Sequence, residues 1–279
     1  MDWLQALILG VVEGVTEYLP ISSTGHLLVV QRLLGIEQSD AADAFAICIQ
    51  AGAILAVLTL FWRRILAMAR GCLGRDPDGL RLGMNIGVAF LPAVVLGLLL
   101  EKLIKRYLFG GQDWGLWPII GAWIVGGLAI LTVAFWLRKR RLTGGKRLEL
   151  LSLTWRMALI IGVAQCLAMW PGTSRSLVTI VAGVLVGLRL GAAVEFSFLL
   201  GVLTLTAATA KEALGHGATM FENFGFMPLA VGFLSAWLSA WIAVKWMISY
   251  LNAHGLELFG YYRIAIGIIA AIAVWRGVL

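Results

Sequence analysis

Four stretches of this chain, Ala44–Trp62, Gly83–Leu100, Trp114–Leu137 and Asn223–Val244, contain no Asp, Glu, Lys or Arg over 18 to 24 residues. That matches a helix crossing the hydrocarbon core of a bilayer, which takes roughly 17–25 apolar residues. Composition agrees: 61% of residues are apolar and 13% charged, where a soluble domain has about a quarter charged. The expected class is an all-α polytopic membrane protein.

The formal charge of +7 does not point to nucleic acid, because the basic residues cluster beside apolar windows, where they act as topology signals and lipid-headgroup contacts. Cys48, Cys72 and Cys166 are odd in number and lack metal-ligand spacing, so they read as small buried hydrophobes. Asp2 stands where a signal peptide would carry a basic residue, and no A-x-A site follows. The first apolar segment is therefore expected to stay in the mature protein.

Two further segments are apolar but interrupted. Asp2–Leu19 carries Glu13 and Glu17, breaks at Pro20 and resumes as Leu27–Leu34 before Gly35. Met157–Trp170 and Leu177–Leu188 flank a second break at Pro171–Ser176. Each reads as a re-entrant helical hairpin, tolerated at membrane depth only where protein or a water-filled cavity satisfies the interrupted backbone. An offset of 151 places Pro20 on Pro171, Ser23 on Ser174, Ala41-Ala42 on Ala192-Ala193 and Phe45 on Phe196. This predicts a duplicated unit, with halves at 1–140 (hairpin 2–35) and 150–279 (hairpin 154–188).

Basic residues orient the halves. The loop Arg63–Arg81 and the run Arg138–Arg147 should face the cytoplasm, while the acidic segment with Glu37, Asp40 and Asp43, and Glu101–Asp113, should lie outside. Each half then holds one hairpin and three spans, about six transmembrane helices in all: the first three windows above, then Val194–Ala210, Asn223–Val244 and Leu256–Trp275. Three being odd, the repeat has inverted topology, and the two breaks can converge near the midplane from opposite faces. Gly-rich stretches such as Gly121–Gly127 suit helix packing within or between chains, so a homodimer stays open.

The breaks concentrate the chemistry. Glu13 and Glu17 share one helix face with Cβ atoms about 6 Å apart. Each charge at bilayer depth costs at least about 2.5–3.5 kcal/mol, which argues against idle acids. Ser22, Ser23 and Thr24 sit where a new helix begins, as capping residues would, and that helix N-terminus also offers N–H groups and a dipole end to a phosphate. Gly25 permits close backbone approach, and His26, three residues after Ser23, could accept its proton. In the second break Gly172 and Thr173 precede Ser174, Arg175 and Ser176, with Thr179 a turn beyond; arginine's fork suits phosphate oxygens. Carboxylates beside a phosphate imply either a bridging divalent cation or a protonated Glu acting as general acid or base. Both alternatives stand at this point.

The elements E-G-V-T-E-Y-L-P-I-S-S-T-G-H at Glu13–His26 and P-G-T-S-R-S-L-V-T at Pro171–Thr179 resemble the paired signature of the bacterial undecaprenyl-diphosphatase family associated with bacitracin resistance. The resemblance implies an inner-membrane, multi-pass enzyme that converts undecaprenyl diphosphate to the monophosphate, recycling a cell-wall lipid carrier with Mg²⁺ or Ca²⁺. It implies catalytic roles for Glu13, Glu17, Ser23, His26 and Arg175, a cation on Glu13 and Glu17, and phosphate contacts from Ser174, Ser176 and Thr179. Ser23 is the expected nucleophile, assisted by His26 or a Glu; His26 itself or water remain alternatives. The first hairpin's outward mouth favours a site opening to the periplasm. The rival class is a transporter or flippase of a phosphorylated lipid, which needs Arg175 and the dipole ends but no Ser–His–Glu–Glu cluster.

Overall fold

The computed structural model describes residues 1–37, 39–104, 115–142 and 147–279. Most of the Glu101–Asp113 segment and Lys146 of the basic run thus lie outside the described residues. Among the described residues eleven α-helices carry the fold, with an isolated bridge between Leu148 and Leu188. Five are long and apolar enough to cross a membrane: α5 (Pro77–Ile104), α6 (Trp117–Leu142), α9 (Leu190–Phe224), α10 (Phe226–Ala253) and α11 (Glu257–Trp275). A sixth crossing is counted when α3 (Asp40–Leu60) and α4 (Trp62–Cys72), which meet at a bend of 78°, are taken as one broken span. The protein is an all-α, multi-pass membrane protein.

The stretch Arg63–Arg81, expected as a loop, contains α4 and the start of α5. Trp62–Cys72 is amphipathic: Ile65 and Met68 pack against the core around Leu82 and Ile86, while Arg63 and Arg70 are exposed. Arg64 pairs with Glu195 on α9 at 2.6 Å, fixing the bend from the side.

Both expected hairpins form. The first is α1 (Trp3–Glu17), a break, and α2 (Ser23–Leu33); the second is α7 (Trp155–Gln165) with a 3-10 turn over Cys166–Met169, a break, and α8 (Arg175–Leu185). A strained serine opens α2 and another opens α8: Ser22 at φ 75°, ψ 98° and Ser174 at φ 70°, ψ 112°, the two non-glycine residues with positive φ among those described. Such conformations cost on the order of 1–3 kcal/mol and persist where surrounding structure over-determines them. In backbone conformation and place before a helix Ser22 matches Ser174, and the two helix starts are 152 residues apart. Two residues, Gly172 and Thr173, separate Pro171 from Ser174 where Ile21 alone separates Pro20 from Ser22, a slip that the Ser22-Ser23 tandem hides in sequence.

Packing crosses between the two hairpins' neighbourhoods. α1 lies on α10, α7 lies on α5, α3 meets α9 and α10, and α6 pairs with α11. Close approach along α1 and α10 depends on small residues, as is usual between helices in lipid. A Cβ on Gly10 or Gly14 would run into the backbone of Gly232 or Ala236. Within Gly121–Gly127, Gly126 and Gly127 are spent inside the chain against Arg263 and Ile264 of α11, whereas nothing lies within 4 Å of a Cβ on Gly121.

Candidate active site

The backbone of the first break is the natural starting point, because four consecutive carbonyls there lie outside regular helix and need donors. Each accepts from a side chain, three of them from other helices and the fourth from His26 within α2. The Leu19 carbonyl accepts from Ser176 Oγ at 2.9 Å. The Pro20 carbonyl accepts from Arg263 Nη1 at 3.3 Å. The Ile21 carbonyl accepts from Trp123 Nε1 at 3.0 Å, and the Ser22 carbonyl from His26 Nδ1 at 2.7 Å. The break is thus stitched to α8, α11 and α6.

So held, the first break faces the second across a cavity of about 190 Å³. Its walls include Glu17, Ser22, Ser23 and Thr24 from one side and Gly172, Ser174 and Arg175 from the other. Ser23 Oγ donates to Glu17 Oε2, and Arg175 Nη2 sits 3.4 Å from Glu17 Oε1. The guanidinium also donates to the Ser197 carbonyl at 3.1 Å and lies over the Tyr18 ring, and its Nε is buried without a partner. Room for it comes from Gly201, whose Cβ would overlap the guanidinium. At the floor, the α2 N-terminus has no side-chain cap from Ser22, so its first amides stay available to an anion, whereas Ser174 Oγ caps Leu177 N at 3.3 Å.

Six expected site residues lie outside the cavity lining. His26 does not pair with Ser23, because both ring nitrogens are engaged elsewhere: Nδ1 with the Ser22 carbonyl and Nε2 with Tyr262 Oη at 2.8 Å. Ser176 and Thr179 are fully buried; Ser176 ties the two breaks together, and Thr179 bonds Ser197 Oγ at 2.6 Å, joining α8 to α9. Gly25 makes room for Trp123 and Ile119, which a Cβ there would meet within 3 Å. Thr173 N closes a turn onto the Trp170 carbonyl. Glu13, 2% exposed, lies one turn before Glu17, with Oε2 unpartnered.

Sequence reasoning missed two groups. Gln50 of α3 lines the cavity and accepts from Thr209 at 2.7 Å. Arg263 on α11 is 0% exposed and donates to four carbonyls, those of Pro20 and Gly172 in the two breaks and those of Ala122 and Trp123 in α6. Its signal was an arginine inside an otherwise apolar span, whereas Arg175 stands between two serines with apolar stretches beyond them.

Fold and site together define a multi-pass α-helical membrane protein whose polar cavity is built where two helix breaks face each other. The chain belongs to the family described as bacitracin resistance protein BacA, whose model matches residues 6–269. It is 45% identical to an undecaprenyl-diphosphatase of Sorangium cellulosum over 99% of this chain and 86% of that protein. Identity is 44% to undecaprenyl-diphosphatase 2 of Rhodospirillum rubrum and 43% to an undecaprenyl-diphosphatase of Azotobacter vinelandii, each over 99% of this chain and 96% of the relative.

Proposed function

We propose that this protein is a membrane phosphatase that removes the terminal phosphate of undecaprenyl diphosphate, the substrate named for its relatives. The observation that carries the reading is the triangle in the cavity, in which Ser23 donates to one oxygen of Glu17 while Arg175 sits by the other. A hydroxyl on a carboxylate beside an always-charged fork is an activated nucleophile next to a phosphate clamp.

In the proposed reaction Arg175 and the first amides of α2 hold the terminal phosphate. Ser23 Oγ bonds to its phosphorus as the hydroxyl proton passes to Glu17, and the bond from phosphorus to the bridging oxygen breaks. Glu17 returns that proton to the departing prenyl phosphate. It then takes one from a water whose oxygen bonds to phosphorus as the bond from phosphorus to Ser23 Oγ breaks, and gives it to Oγ, releasing inorganic phosphate and restoring the Ser23 hydroxyl. His26 positions the Ser22 carbonyl in this scheme rather than accepting the Ser23 proton.

Glu13 and Glu17 fit a divalent cation, Mg²⁺ or Ca²⁺: Glu13 offers a buried, unpartnered oxygen, and Mg²⁺ uses one or two carboxylates together with substrate oxygens. When bound, the cation neutralises the charge shared by carboxylates and phosphate. The two halves are read as an inverted repeat, supported by the matched strained serines and by the crossed packing of α1 on α10 and α7 on α5. Arginines on α4 at the far end of α3 from the mouth of the first hairpin support a site opening to the periplasm of an inner membrane.

Purified protein incubated with undecaprenyl diphosphate and Mg²⁺ should release inorganic phosphate, and Ser23→Ala should abolish this. Quenching with detergent at neutral to basic pH, which preserves phosphoserine and the acid-labile phosphohistidine alike, should trap labelled terminal phosphate on Ser23. Label on His26 instead would overturn the nucleophile, and lipid crossing vesicles with no phosphate release would overturn the phosphatase.

A further inference from the structure

Arg263 stands out among the groups the mechanism above does not use. It is a fully buried guanidinium in the middle of a membrane span, and among the described residues no carboxylate pairs with it. Burying a charge without a counter-charge is costly. The carbonyls it satisfies do not by themselves explain a cation, because neighbouring break carbonyls are served by neutral donors: Leu19 by Ser176 and Ile21 by Trp123. A guanidinium adds two things, several donors on one rigid fork and a fixed positive charge.

Both additions point toward the cavity. Nη1 reaches Pro20 in the first break, and Nη2 reaches Gly172 in the second at 2.9 Å as well as Ala122 at 2.6 Å. Gly172 lines the cavity. One side chain from α11 therefore sets the distance between the two walls and lays its charge directly behind one of them. The seat is cut to its shape: a Cβ on Gly126 would lie 2.9 Å from its Cζ and 2.9 Å from Nε.

We propose that Arg263 is a positioning residue for the phosphate site, a buried pin that holds the Pro20 and Gly172 breaks at their spacing and whose unmatched charge is answered by the anionic headgroup of the substrate. Arg175 clamps the headgroup directly; Arg263 acts through the backbone and the field. The proposal rests on the cavity being the diphosphate site.

The test uses the full-length protein in detergent micelles with Mg²⁺ and a non-hydrolysable diphosphate, methylenediphosphonate, with binding read by calorimetry and thus independent of turnover. Arg263→Gln removes fork and charge and should weaken binding on the order of tenfold or more, the scale of one unit charge acting at short range in a protein. Arg263→Lys keeps the charge without the fork and should lose less. Gly126→Ala leaves the arginine in the chain but displaces it, and should also weaken binding; it decides the matter if Arg263→Gln does not fold. Equal binding by wild type and Arg263→Gln overturns the charge role, equal losses in Arg263→Lys and Arg263→Gln overturn it too, and wild-type binding by Gly126→Ala overturns the pin. If wild type itself neither binds the probe nor releases phosphate, the reading of the cavity fails as well, which none of the other outcomes implies.

Discussion

Gly201→Ala should inactivate the protein without changing any residue that faces the cavity. Gly201 lies one turn after Ser197 on α9, and the Arg175 guanidinium rests in the groove between them. An alanine Cβ there would sit 2.6 Å from Cζ and 2.7 Å from Nη2, where ordinary contact begins at 3.4 Å. Nη1 lies closer still, so Arg175 must retreat by more than about 0.8 Å, and since a misplacement of about 1 Å can cost a hundredfold, kcat/KM should fall about 100-fold, or about 2.7 kcal/mol in the barrier. Leaving α9 also lengthens the 3.1 Å bond to the Ser197 carbonyl, a hydrogen bond to a charged donor worth about 1.5–3 kcal/mol. Rates of phosphate release measured beside Arg175→Lys should place the two variants close together. Gly121→Ala, with nothing within 4 Å of its new Cβ, is the control and should keep wild-type rates. A Gly201→Ala protein that works within about twofold of wild type would sink the idea that this seat fixes Arg175.

If Glu17 is the proton acceptor for Ser23, Ser23→Ala and Glu17→Gln each cost about 10²–10⁴ in rate, and the double variant is no slower than the worse single one; additive losses in the cycle would separate their roles. Chelation with EDTA should abolish phosphate release and added Mg²⁺ restore it, with Glu13→Gln needing more Mg²⁺ for half-maximal rate; activity that survives EDTA would remove the cation from the scheme. Ser22→Gly relieves a positive φ without losing a cap and should raise the melting temperature, by about 1 kcal/mol of stability or more, whereas Ser174→Gly also loses the bond to Leu177 N and gains less. A larger gain from Ser174→Gly would show that the strain is not equally distributed.

The spans were legible in the sequence because apolar length is all a span requires, and the hairpins were legible because Pro20 and Pro171 interrupt apolar runs too short to cross alone. The triad of Glu17, Ser23 and Arg175 was legible for a related reason: charges in lipid are expensive, so each one marks a site. What sequence could not give is which polar groups face the cavity and which face one another. Ser176 and Thr179 carry the same hydroxyls as Ser22 and Thr24, yet helix rotation turns the first pair into the seam between α8, the first break and α9. His26 and Ser23 share α2 three residues apart, yet the imidazole is held between the Ser22 carbonyl and Tyr262 Oη, a tertiary contact that spacing along the chain does not show. α4 was hidden by its arginines, which read as a topology signal whether or not the chain there is helical.

The same accounting explains why two arginines, and not lysines, serve this site. A broken helix in lipid exposes consecutive carbonyls that must be satisfied by donors arriving from other helices, and a cavity for a diphosphate needs positive charge that does not titrate away. Lysine offers one rotatable point of attachment and loses its proton readily when buried, whereas a guanidinium keeps its charge and spreads several donors over a plane. Arg263 uses that plane to join four carbonyls on three segments, and Arg175 uses it to reach Glu17 and the Ser197 carbonyl while keeping Nε unpartnered. Each fork is admitted by a glycine on the helix it lies against, Gly126 and Gly201. The paired design predicts a shared failure: any side chain larger than hydrogen at either glycine displaces a cation that no lysine can replace.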